Sequence, residues 1–126
     1  MAALPLEFVC FSLTITTPAN GPFNLYQILS TGVAPTGTTL GAPLSALFTG
    51  KNIPEVTIQN DPSSTAGSFV YVGDSTLSAT NKGISLPVGS SIQLDPARGS
   101  NAWANGIYIN STTAASVIVN ISVIYG

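Results

Sequence analysis

The sequence predicts an all-β protein, a single-domain antiparallel β-sandwich of about eight strands with a jelly-roll or immunoglobulin-like outline. Three observations predict it. Apolar residues recur with period two rather than the helical period, the runs are short, and Gly, Pro, Asn and Asp bound them at regular spacing. The chain of 126 residues fits one hydrophobic core, and the whole of it, 1–126, reads as one domain with no internal repeat.

Each element follows from its own pattern. Along Glu7 to Thr16, Val9, Phe11, Leu13 and Ile15 form one apolar face. Leu6, Phe8 and Cys10 make the opposite face apolar at its beginning, which predicts burial on both sides for the first half of this strand. Cys10 accordingly reads as a small buried hydrophobe. Residues 1–22 are expected to form an N-terminal arm or edge strand. Pro18 to Pro22 interrupts the run, and Phe23 to Ser30 reads as a second strand. Ser30 to Pro43, rich in Gly, Pro and Thr, reads as a loop with too little large apolar area to pack as an element. Leu44 to Phe48 offers one helical turn. Val56 to Asn60 and Ser68 to Gly73 are strands, the latter with Val70 and Val72 on one side and Phe69 and Tyr71 on the other. Thr76 to Thr80 and Gly83 to Val88 are expected to pair around Asn81-Lys82-Gly83, since Asn and Gly tolerate the positive φ of tight turns. Ser90 to Leu94 and Ala104 to Asn110 follow. Ala115 to Tyr125 is the longest strand, with Val117, Val119, Ile121, Val123 and Tyr125 on one face and Ile118, Asn120, Ser122 and Ile124 on the other.

Composition narrows the chemistry. Charged residues make up 6% of the chain, five acidic and three basic, against roughly 25% in ordinary soluble domains. With no His and one Cys, the usual ligands of a zinc, haem or iron–sulfur site are missing, as is the base of a Ser-His-Asp or Cys-His system. The expectation is a non-enzymatic protein with no catalytic residues, cofactor or metal. Lys51, Lys82 and Arg98 stand singly and cannot neutralise a run of phosphates, so no nucleic-acid partner is expected. Leu4 to Ile15 is interrupted by Pro5, Glu7, Ser12 and Thr14 and falls short of the roughly 18 apolar residues of a spanning helix. No basic residue precedes it, so a secretory signal is not expected either, nor a membrane partner.

Asp61, Asp74 and Asp95 adjoin Pro or Gly and read as turn residues that accept backbone hydrogen bonds, calcium binding being the alternative without a D-x-D-x-D spacing. Asn110-Ser111-Thr112 and Asn120-Ile121-Ser122 match the glycosylation acceptor pattern, as chance alone produces in a chain this rich in Asn, Ser and Thr. Trp103, Tyr108, Tyr125, Tyr71 and Tyr26 could line a sugar platform or pack in a core or interface, Trp103 being the first to test. The last strand is apolar on both faces for much of its length. It requires a second cover, from another subunit or from a second sheet.

The stretch Val56 to Leu94 resembles small virion proteins of tailed bacteriophages. The residues are Val56-Thr57-Ile58-Gln59-Asn60, a Ser/Thr/Gly loop, Val70-Tyr71-Val72-Gly73-Asp74-Ser75-Thr76, Ser78 to Leu86, a Pro87-Val88-Gly89 corner and Ser91-Ile92-Gln93-Leu94, continued by Ile107-Tyr108-Ile109 and Val117 to Val123. About half the chain carries the resemblance, a structural one; Leu4 to Gly50 carries none of it. It implies a capsid decoration or cement protein in the virion, assembled in the host cytoplasm. Such a protein would be a homo-oligomer, with a trimer expected, bound to the major capsid protein or other virion proteins. A neck or tail component and a carbohydrate-binding module or adhesin are the alternatives. Candidate interface residues are Phe8, Phe11, Trp103, Tyr108, Val117, Val119, Ile121, Val123 and Tyr125.

Overall fold

Alternating burial organises the strands of the computed structural model, which describes residues 7–44, 55–94, 106–113 and 116–125. The first is β1 (Glu7–Ile15), followed by a 3-10 turn (Pro18–Asn20), β2 (Phe23–Asn24), the helix α1 (Leu25–Thr31) and β3 (Thr38–Leu40). Then come β4 (Glu55–Asn60), β5 (Phe69–Gly73), β6 (Ile84–Pro87), β7 (Ser91–Leu94), β8 (Tyr108–Ser111) and β9 (Val117–Tyr125). Two antiparallel sheets result, one of five strands in the order β3-β1-β9-β4-β7 (sheet A) and one of four in the order β2-β8-β5-β6 (sheet B).

The pairing is nested. With β3 set aside, the first strand pairs with the last (β1 with β9), β2 with β8, β4 with β7, and β5 with β6. This is the wrapping of a jelly roll, and it decides between the two expected outlines: the immunoglobulin arrangement of ABED and CFG sheets does not produce it. The core lies between the sheets. Val9, Leu13 and Ile15 of β1, Val56 and Ile58 of β4 and Val117, Val119, Ile121 and Val123 of β9 meet Val70 and Val72 of β5, Leu86 of β6 and Ile109 of β8. The two-residue period that marks these strands in the sequence is the alternation between core and outer face.

Four expectations are corrected. The run from Phe23 to Ser30 is strand for two residues only and then becomes α1. Leu25, Ile28 and Leu29, one helical face, are all buried, the Asn24 side chain accepts from Gln27 N–H at 2.9 Å, and Gly32 ends the helix in the left-handed region at φ 67 with its N–H on the Ile28 carbonyl. Within the expected loop from Ser30 to Pro43, β3 forms by pairing Thr38, Thr39 and Leu40 with the outer edge of β1. Thr76 to Thr80 is not a strand; residues 74–83 are a loop between β5 and β6, which pair directly. β1 is neither arm nor edge strand over the described residues, because it lies inside sheet A with every residue from Glu7 to Ile15 in register with β9. The helical turn expected at Leu44 to Phe48 and the start of the strand expected from Ala104 lie outside the described residues. Among the described residues no helix is long and apolar enough to cross a membrane.

Neutral side chains extend the sheets where the backbone ladder stops. Ser64 Oγ donates to the Ile118 carbonyl at 3.2 Å and accepts from Ile118 N–H at 2.9 Å. Thr65 Oγ1 does the same with Ser116, at 2.8 and 3.1 Å. Hydroxyls here continue the β4–β9 contact as a substitute strand, which gives the Ser- and Thr-rich composition a structural use.

Candidate interaction surfaces

Strand alternation fixes which predicted residues can reach a partner. Phe11, Val117, Val119, Ile121 and Val123 point between the sheets, Phe11 at 8% exposure and the other four at 0%. The second sheet covers this face of the last strand; its other face, with Ile118 and Ile124 half-buried, lies on the outside of sheet A and has no second sheet over it among the described residues. Tyr125 ends β9 opposite Glu7, and Trp103 lies outside the described residues. Phe8 and Tyr108 remain on outer faces.

The outer face of sheet A is built from the opposite phase of the same strands. Phe8 is 61% exposed and Cys10 is exposed. This corrects the expected burial of both: β1 has the second sheet on its Val9 and Phe11 side only. Across the register, Phe8 is opposite Ile124, which is opposite Glu55; Cys10 is opposite Ser122, which is opposite Thr57. The next row is polar and tied together. Ser12 Oγ donates to Asn120 Oδ1 at 2.8 Å, and Asn120 Nδ2 donates to Gln59 Oε1 at 3.1 Å and to Asp61 Oδ2 at 2.6 Å. A cavity of about 500 Å³ lies on this face against Cys10, Ser12, Gly41, Pro43 and Asn120. Among the outward positions of β1, β9, β4 and β7, Glu55 is the sole formal charge.

Sheet B offers a different outer face. Tyr71 of β5 stands opposite Asn110 of β8, and Gly73 opposite Tyr108, so both tyrosines share this face on a diagonal. Buried Leu77 packs onto Gly73, where a Cβ would stand 2.7 Å from Leu77 Cδ2. The loop it anchors forms one wall of a groove of about 370 Å³ with Ser78 and Ala79; Pro18 and Ala19 form the other, over Tyr71 and Asn110. Lys82 Nζ lies 5.7 Å from the Tyr71 ring centroid. Phe69 shares this face at 37% exposure, whereas Ile84, opposite core-facing Val72, is 45% exposed because β6 is the free edge of the sheet. The alternation that put Phe69 opposite Val70 in the sequence was the available signal for Phe69, whereas Ile84 carried none.

The described turn aspartates do what their positions predict. Asp61 accepts from Ser63 and Asn120, and these bonds hold its carboxyl below the usual aspartate range. Asp74 is lowered by its bonds from the Thr76 hydroxyl and N–H. Among the described residues no group of three or more His, Cys, Asp and Glu could hold a metal ion. Both glycosylation-pattern asparagines are engaged, Asn120 as above and Asn110 through a 3.1 Å bond from Nδ2 to the Pro18 carbonyl. No family model, curated protein or solved structure matches the chain.

Proposed function

We propose that the chain is a non-enzymatic structural subunit of a virion, a homo-oligomer that decorates or cements a capsid shell by protein–protein contact. The observation that carries this reading is the outer face of sheet A. A row of outward side chains running from Phe8 and Ile124 through Cys10, Ser122 and Thr57 is apolar or neutral, with Phe8 61% exposed. Covering such a face buries no ion apart from the marginal Glu55, and interface cores are depleted of charge in the same way. The jelly roll adds a weaker argument, since viral capsid domains share the architecture but a fold alone does not carry a function.

Light scattering on the purified chain, followed by pelleting with capsids stripped of their decoration, tests this. An oligomer that binds the stripped shells and falls apart in Phe8→Asp supports the proposal. A monomer that leaves the shells bare overturns it. Copy number per particle separates a shell location from the alternative position in a neck or tail ring.

A further inference from the structure

The groove on the outer face of sheet B is independent of the surface just described, and its lining has a definite chemical character. Tyr71 is half-buried and Ser78, Ala79 and Ala19 are exposed, so the groove is open to a ligand. None of its lining residues is charged. Its accessible polar contributors are the hydroxyls of exposed Ser78 and Thr113 and the second Nδ2 hydrogen of Asn110, whose amide otherwise donates to the Pro18 carbonyl and accepts from Ser111 N–H; the Ser111 hydroxyl is buried and donates to the Thr112 carbonyl. Its volume of about 370 Å³ is within the size range of small-ligand sites.

An aromatic ring beside neutral amide and hydroxyl groups is suited to a pyranose. The C–H face of the sugar packs on the ring, and the belt of hydroxyls around it exchanges hydrogen bonds with neutral side chains. Lys82 lies outside the lining, with Nζ over the Tyr71 ring at 5.7 Å from its centroid, so it borders the stacking position rather than forming part of the groove. Other occupants fit less well. A nucleotide strand needs several cations along its phosphates, and Lys82 is the single basic residue among those described. A lipid chain needs a continuous apolar lining, which the amide and hydroxyls interrupt.

We propose that this groove binds a neutral saccharide unit, stacked on Tyr71 and bounded by Pro18 and Ala19 on one side and Ser78 and Ala79 on the other. The site does not depend on the virion reading.

The test is a titration of the full chain, followed by nuclear magnetic resonance, with soluble neutral oligosaccharides of glucose, galactose, mannose and N-acetylglucosamine. At least one is expected to saturate the protein and to shift the signals of Tyr71 and Asn110. Tyr71→Ala is expected to weaken that binding by about tenfold or more, consistent with loss of one aromatic contact. Ala79 is exposed and outside the core, so Ala79→Trp fills the groove without disturbing packing and should abolish binding while the remaining spectrum stays native. Failure of every oligosaccharide to saturate the protein overturns the proposal. So does binding that survives Ala79→Trp, or that is stronger for acidic sugars and lost in Lys82→Ala.

Discussion

At Asn60 a single amide joins the two sheets. The residue ends β4 in sheet A, is 0% exposed, and donates through Nδ2 to the Ser68 carbonyl at 3.3 Å and to the Leu86 carbonyl of β6 at 3.0 Å. Its backbone is used as well: its N–H reaches the Ser90 carbonyl at 3.0 Å, and its carbonyl takes Gly89 N–H at 2.8 Å. Asn60→Ala removes the donor from two buried carbonyls and should cost about 1–3 kcal/mol, read as a lower urea midpoint with an unchanged slope. Asn60→Asp should cost at least as much, because a carboxylate cannot donate and its charge would be buried. An unchanged midpoint in both variants would remove the clamp from the account. In the sequence Asn60 is one more strand-ending polar residue, and nothing in its spacing reveals that its amide crosses the sandwich. Gly83 was more legible. The positive φ expected of it is present at 57, and a Cβ there would collide with the Val72 carbonyl, but it ends the 74–83 loop before β6 rather than closing a hairpin turn between two strands.

Elements were readable in proportion to how far one periodicity dominated them. In β1, β5 and β9 one face meets the opposite sheet and its core positions could be named from the sequence, but the apolar Phe8 and Cys10 and the apolar outer positions of β9 blurred which faces are covered. The segment Phe23 to Thr31 satisfies two periods at once: Phe23, Leu25 and Gln27 alternate, but Leu25, Ile28 and Leu29 share a helical face. The signals that resolve it are the caps, Asn24 before the helix and Gly32 after it, and these outweigh alternation over so short a run. Asn24→Ala should therefore destabilise the protein by about 1 kcal/mol, with the loss of amide protection in hydrogen exchange concentrated between Leu25 and Gly32. A uniform loss over all strands would show that α1 has no stability of its own to lose. β3 was unreadable for the converse reason: a strand of three residues is defined by the edge of β1 it pairs with rather than by its own pattern. The candidate surfaces fall between these cases. Their apolar residues could be picked out at Phe8, Phe69 and Tyr71, but which ones face outward depends on where the second sheet lies.

For the molecule as a whole, the shortage of charge and the abundance of hydroxyls and amides are two sides of one construction. Ser64, Thr65, Asn60 and Asn120 make connections that ion pairs make in other proteins, and neutral hydrogen bonds neither titrate nor respond much to screening. With no histidine in the chain, no side chain with an ordinary pKa changes charge between about pH 5 and 8. Thermal unfolding should accordingly give a melting temperature that is flat across that range and little changed from low to high salt. Acid is the exception, and its sign follows from Asp61 and Asp74. Both carboxyls are lower in the folded protein than in the unfolded chain, so the stability they add is complete above about pH 4, the unfolded value. It is lost as pH falls through their folded values, when the bonds to Ser63, Asn120 and Thr76 lose their charged acceptor. Both side chains are close to the solvent, which keeps the step small. Asp61→Asn should remove part of it, and more than Asp74→Asn does, because Asp61 also holds Asn120 of β9 whereas Asp74 serves only its own loop. A melting temperature that instead rises or falls steeply between about pH 5 and 8 would mean that an ionisable group with a displaced pKa supports the fold, contrary to the neutral construction.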